Sequence, residues 1–278
     1  MNRGNDLRSD LACERRRADL SCDEVKYERC FSSVGSWERI RITGREGETC
    51  IGRPRGSYDT LTIGRADLLS SEEISDAAEE IASELCRLME GLAVSPDRLL
   101  IAGLGNRELT PDSLGPRTAE MVNATMHLRR LDEKSFFAMD CSEIAVIKPG
   151  VSAESGMESA ELLASLCGII KPDAVIAVDS LAARSPQRLG RTLQLSDTGI
   201  FPGSGIGNHR AELTKKTVGA PVIAIGVPTV IDARLLAGDS AFSQSEEMFV
   251  SPKEIDAIVR ASAQIIAEGI NQAFGICF

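Results

Sequence analysis

Histidine is nearly absent from this chain: His127 and His209 are the only two in 278 residues. Neither lies near a serine in a G-x-S-x-G elbow, so a serine triad has no visible nucleophile. The eight cysteines (13, 22, 30, 50, 86, 141, 167 and 277) are scattered without one C-x-x-C pair. The tight spacing by which zinc sites and redox motifs declare themselves is therefore missing, and the cysteines read as small core hydrophobes. No apolar run approaches the roughly 20 residues that span a bilayer. The start, MNRGNDLRSDLACERRR, lacks the apolar centre of a secretory signal. A cytoplasmic protein without membrane contact is the expectation. With 31 Lys and Arg against 41 Asp and Glu, the net charge is −10. Direct nucleic-acid binding needs clustered cations, and the ERRR run at 14–17 is too short to be more than a solvated segment.

What is present is an alternation. Residues 1–30 are charged and lack clean periodicity, which predicts a mobile arm. WERIRIT, TCIG and YDTLTI, between Trp37 and Ile63, read as a small antiparallel patch punctuated by Gly and Pro. An amphipathic helix is predicted over 70–92, capped by Ser70 or Ser71. Apolar strands then follow at 98–105, 143–150, 174–179 and 220–229, separated by helical patterns at 115–131 and 156–170 and closed by a helix over 251–274. Apolar strands alternating with helices predict an α/β fold, three-layered, with a mainly parallel sheet covered on both faces.

Sheets of this kind place their sites beyond the carboxyl ends of the strands. Asp179 ends one predicted strand, Asp112 lies in the loop after another, and Asp232 follows a third. Asp112 and Asp179 each precede a predicted helix, so N-capping is one reading of both. The other is a carboxylate pair sharing one proton, in which one member activates water and the other donates a proton. Asp197 lies in a lone Asp-Thr-Gly; pepsin-like proteases need two such motifs in β-rich lobes, so it reads as a turn or site-support residue. The glycine-rich stretch at 199–213, with Gly203, Ser204 and Gly205, precedes a predicted helix opened by His209. It reads as an ordered loop at the site, although such a loop can cradle an anion on its N–H groups.

GLGNRELTPDSLGPRTAEMV, VIKPGVSAESGMESAELL, the run from KPDAVIAVDSLAARS through SGIGNHRAEL, and GAPVIAIGVPTVIDA together resemble the germination protease family of spore-forming bacteria. The resemblance is dense over 98–234 and returns in the last predicted helix. It implies an aspartic-type endopeptidase, unrelated to pepsin, that starts the degradation of small acid-soluble spore proteins in the spore core. It implies a fold like that of the hydrogenase maturation proteases and places the catalytic pair at Asp112 and Asp179, with no cofactor or metal expected. Homotetramers are implied as well. The family is made as a self-cleaving zymogen, and LRSDLACE (7–14) resembles its junction. Residues 1–10 would then be a propeptide cut between Asp10 and Leu11, and 11–278 a single α/β peptidase domain. The implied substrate junction runs acidic, large apolar, small, with another acid just beyond. The chain departs from the family in having only 17 residues between VIDA and SPKE. A nucleoside- or phosphate-binding enzyme, with Arg210, Lys215 and Lys216 as anion partners, a metal-dependent maturation-type protease and a non-catalytic binding protein are the alternatives.

Overall fold

The structure, a computed structural model, describes residues 9–15, 22–203, 210–237 and 248–275. Among the described residues nine strands make one sheet: β1 (Val25–Phe31), β2 (Ser36–Ile42), β3 (Gly56–Thr62), β4 (Arg98–Gly103), β5 (Glu143–Ile147), β6 (Ala174–Ala183), β7 (Thr192–Ser196), β8 (Val222–Asp232) and β9 (Phe249–Val250). Their order is β1-β2-β3-β7-β8-β6-β4-β5, with β9 added to β8. β5, β4, β6 and β8 run parallel. These parallel strands are apolar on both faces, as a strand covered twice must be. The remaining strands pair antiparallel.

The helices are α1 (Ala12–Arg15), α2 (Arg45–Ile51), α3 (Ser71–Gly91), α4 (Leu114–Met121), α5 (Met126–Leu131), α6 (Glu133–Ala138), α7 (Ser152–Ser155), α8 (Ser159–Ile170), α9 (Lys215–Val218), α10 (Arg234–Ala237) and α11 (Ile255–Phe274). Side chains alternate along a strand, so β6 feeds two cores. Ala174, Ile176 and Val178 join Ile81, Leu85, Leu88, Val259, Ile266 and Ile270 of α3 and α11. Val175, Ala177, Leu181 and Ala183 join Leu163 and Cys167 of α8 and Val218 of α9. The α/β, three-layer expectation stands. α3 begins with a reciprocal cap: Ser70 accepts from the Glu73 N–H at 3.2 Å while Glu73 accepts from the Ser70 N–H at 2.8 Å. Arg39 pairs with Glu84 at 2.8 Å and Arg87 with Asp59 at 2.6 Å, tying α3 to the antiparallel strands beneath it.

Several local expectations need correction. The antiparallel patch is no separate unit, because β3 pairs with β7 and so extends the main sheet. TCIG is not a strand but lies across the end of α2; the Glu24 carboxylate accepts the Glu46 and Gly47 N–H groups at its start, a long-range cap with no local signal. The arm over 1–30 is not uniformly loose: residues 9–15 dock on the sheet and β1 starts at Val25. The helix read over 115–131 breaks at Val122 into α4 and α5, and that read over 156–170 starts at Ser159. β6 does not stop at Asp179 but runs to Ala183 through an irregularity at Leu181/Ala182, and a 3-10 turn at Pro186–Arg188, not a helix, follows it. The helix after the glycine loop is the short α9, starting at Lys215; His209 lies outside the described residues.

α4 reaches the strand ends because two glycines let the backbones touch. A Cβ on Gly115 would lie 2.3 Å from the carbonyl oxygens of Leu104 and Val178, and one on Gly103 would lie 2.2 Å from the Gly115 oxygen. Backbone cannot yield as a side chain can. Gly115→Ala should therefore lower the unfolding free energy by about 1–3 kcal/mol, as overpacking does. Gly168→Ala in α8, where a Cβ meets nothing within 4 Å, should instead raise it by about 0.5–1 kcal/mol. Denaturant titration of both variants checks the contrast.

Candidate active site

Asp179 is 4% exposed in the middle of β6, on the same face as Ala177 and Leu181. Its Oδ1 accepts the Ser180 N–H at 2.9 Å. No helix follows, so the capping reading does not apply to it. Asp112 closes a 3-10 turn, Thr110–Asp112, between β4 and α4. Its Oδ2 accepts the Asn106 N–H at 2.9 Å, and the residue before α4 is Ser113, so Asp112 does not cap that helix either. Gly105, at φ +106°, lets the loop fold back on itself: a Cβ there would sit 2.1 Å from the Asp112 carbonyl oxygen. The Thr229 hydroxyl donates to the Pro111 carbonyl at 2.7 Å, fastening the loop to β8.

The two carboxyls feel one another. Burial pushes the Asp179 carboxyl well above the usual carboxylate range, and the negative charge of Asp112 pushes the same way; the Ser180 N–H opposes, Asp10 adds to the rise, and the Arg210 guanidinium opposes. Burial also raises Asp112, against the Asn106 N–H and Arg210. Asp179 is the more enclosed of the two and faces its neighbour's charge.

A third acid completes the cluster. The Asp10 N–H donates to the Ala182 carbonyl at 3.0 Å and its Oδ2 accepts the Ala182 N–H at 2.9 Å, so this residue is held on β6 by backbone and side chain. Arg53 stands 3.6 Å from Asp10 Oδ1 and donates to the Ser9 carbonyl at 3.1 Å. Gln194 of β7 donates its amide to the Asp10 carbonyl at 3.1 Å and accepts the Ala12 N–H at 2.7 Å. Leu11 and Ala12 have no exposed surface; Leu11 joins the α8 core, and Ala12 packs with Ile40, Ile42 and Tyr58. Glu14 accepts the N–H groups of Arg184 and Ser185 at 2.7 and 2.9 Å. Beside this segment lies a small cleft of about 30 Å³, lined by Asp10, Arg53, Tyr58, Leu181, Gln194 and Gly226 among others.

The register explains the convergence. Asp179 pairs with Gly226, and Gly226 pairs on its other side with Gln194. The two polar side chains thus stand on one face, two strand spacings or about 9.6 Å apart at Cα, with the Leu181 side chain packed over Gly226. Asp197 Oδ1 accepts the Ser57 N–H at 2.7 Å and so ties the end of β7 to β3; its neighbours Thr198 and Gly199 line the cleft. Gly203, at φ +73°, ends the described part of the glycine loop, and Ser204 and Gly205 lie outside the described residues. His127 is exposed on α5, and Asp232 pairs with Arg234. Gln194 and Arg53 went unnoticed in the sequence. The alternation in TLQLS gave no signal for Gln194, since it groups the amide with Thr192 and Ser196 on the polar face of a strand.

Among the described residues no group of three or more His, Cys, Asp or Glu is placed to hold a metal ion, and the cation facing both aspartates is the Arg210 guanidinium. No helix of the described residues is long and apolar enough to cross a membrane.

A family model described as germination protease matches residues 15–243. The chain belongs to the germination protease family. The germination protease of Clostridium acetobutylicum is 34% identical over 314 residues, covering 97% of this chain and 95% of its own. That of Bacillus subtilis is 41% identical over 242 residues, covering 84% of this chain and 66% of its own. A NiFe-hydrogenase maturation protease from Thermococcus kodakarensis superposes with a TM-score of 0.39 at 20% identity, covering 68% of this chain and 99% of its own; that match is too loose to carry residues across. Family membership makes the chain a protease of the spore.

A raised carboxyl has a calculable cost. Between the ordinary pKa of about 3.9 and the higher value in the fold, the folded chain binds more protons than the unfolded one, so stability falls as pH rises. Asp179→Asn removes that loss. Its melting temperature should exceed that of the parent at pH 7, and the gap should shrink as pH is lowered toward 4, as thermal melts over that range will test.

Proposed function

We propose that this germination protease hydrolyses peptide bonds with Asp112 and Asp179 acting as a pair. A water between them attacks the scissile carbonyl carbon, and Asp112, the ionised member, takes the water's proton. Asp179, the protonated member, gives its proton to the leaving nitrogen. One C–O bond forms, the C–N bond breaks, and the products are a carboxylate and an amine. The single observation that carries the reading is the asymmetry of the two acids: Asp179 is buried and bears the like-charge cost of Asp112, which is only half-buried. Two carboxyls in such unlike states have divided the acid and base roles between them.

The same reading makes residues 1–10 a propeptide removed by self-cleavage between Asp10 and Leu11. Support comes from the docking of that junction beside Asp179, close enough for the Asp10 charge to raise the Asp179 carboxyl. Cleavage in trans then falls on the small acid-soluble proteins of the spore core, at junctions of the same pattern, by a homotetramer of 11–278 domains. A phosphate or nucleoside ligand is disfavoured by the charges of Asp10 and Asp112 acting at Asp179.

Asp112→Asn and Asp179→Asn should each slow loss of residues 1–10 by about 100-fold or more, measured by intact mass over time, with the circular dichroism unchanged. Either variant cutting at the parental rate overturns the pair. The parent's rate should pass through a maximum with pH, because acid protonates Asp112 and alkali ionises Asp179; a rate flat across both limbs would contradict the division of roles.

A further inference from the structure

We infer that Gln194 is a catalytic residue of this protease, holding the oxygen of the scissile carbonyl, and that Arg53 is the residue selecting an acidic side chain before the cut. The inference rests on the self-cleavage reading above, and its basis is how residues 9–14 are held. The Asp10 carbonyl is the group attacked when the Asp10–Leu11 bond is cut, and the protein atom donating to it is Gln194 Nε2, at 3.1 Å. The other end of the same amide accepts the Ala12 N–H at 2.7 Å, which fixes which end faces the carbonyl. The side chain is 8% exposed, and its strand is paired on both sides, with β3 and β8. Gln194 therefore spans the bond to be cut, one hydrogen bond on each side of it, and cannot easily swing away.

That placement has a chemical use. When water adds to the carbonyl carbon, the oxygen takes up negative charge, and a donor already aimed at it lowers the barrier without reorganising. Nearly complete burial strengthens the interaction because little water screens it. Asp179 stands across Gly226 on the same strand face, near enough for the Asp10 charge to act on it.

Arg53 supplies the selection. Its side chain is 12% exposed and faces Asp10 Oδ1 at 3.6 Å while anchoring the Ser9 carbonyl. A neutral residue in place of Asp10 would leave this guanidinium buried beside Tyr58 and Leu181 without its counter-charge, and a cation would be repelled. The positions after the cut are read by other means. Leu11 enters the α8 core, Ala12 has no room for a larger side chain, and Glu14 takes two backbone N–H groups at the end of β6.

The test uses the full chain and follows loss of residues 1–10 by intact mass. Gln194→Glu keeps the acceptor for Ala12 but removes the donor. It should process at least about 100-fold more slowly than the parent, while hydrogen exchange at Ala12 stays as protected as in the parent. Gln194→Ala is the second variant, and it should be no faster. Arg53→Glu and Asp10→Lys should each process slowly, and the combined Asp10→Lys/Arg53→Glu chain should recover at least about tenfold over either single change, still cut after residue 10. Parental rates in both Gln194 variants would overturn its role, and a swapped pair no faster than its singles would overturn the Arg53 assignment. In those cases the parent still processes and the aspartate variants still fail, so the aspartate pair survives. A parent that never loses residues 1–10 removes the self-cleavage reading itself, and this inference with it.

Discussion

The structure turns on a carboxyl placed where a sheet would ordinarily put an aliphatic side chain. Asp179 sits mid-strand, flanked by β4 and β8 and nearly sealed from water. An isolated charge there would be severely penalised, and burial pushes the carboxyl well above its usual range. Its surroundings follow from that. Gly226 makes room for the Leu181 side chain over the neighbouring strand, and the Gly103–Gly115 contact brings α4 and the Asp112 loop close. Thr229 fastens that loop to the neighbouring strand. Each device is modest alone, but together they hold two acids close enough for one to raise the other.

The N-terminal segment belongs to the same arrangement. Leu11 and Ala12 are consecutive residues feeding different clusters, one shared with α8 and the other with the antiparallel strands. The segment thereby bridges the parallel and antiparallel halves of the sheet close to the acids. Gln194 and Arg53, from β7 and the turn before β3, grip it from the antiparallel half. The short strands that look like an appendage in the sequence therefore supply one wall of the site.

How much of this could be read from residue order varies with the range of the forces involved. β4, β6 and β8 were legible because burial on two faces demands unbroken apolar runs, and α3 because its cap and stripe are local. The end of β6 was misjudged: a carboxylate looks like a stop, yet the strand goes on pairing with β8 as far as Ala183. Local composition also failed at α2, whose first turn is satisfied by a carboxylate 22 residues away. Asp112 and Asp179 stood out because acids after apolar runs are costly and so conspicuous. Gln194 did not, since an amide within TLQLS looks like an ordinary exposed strand position until the neighbouring strand and the docked segment cover it.

The burial of Leu11 carries a consequence for what happens after a cut. Hydrolysis between Asp10 and Leu11 creates a new α-amino group, which with an ordinary pKa of about 7.7–8.0 is largely cationic at neutral pH. It would be born at a residue with no exposed surface. An ammonium group cannot rest in that apolar setting without a partner, whereas the fresh carboxylate on Asp10 and the acids beside it are near at hand. The severed ends must therefore either stay bound as an ion pair or part company, and parting widens the cleft that Asp10 lines on one side.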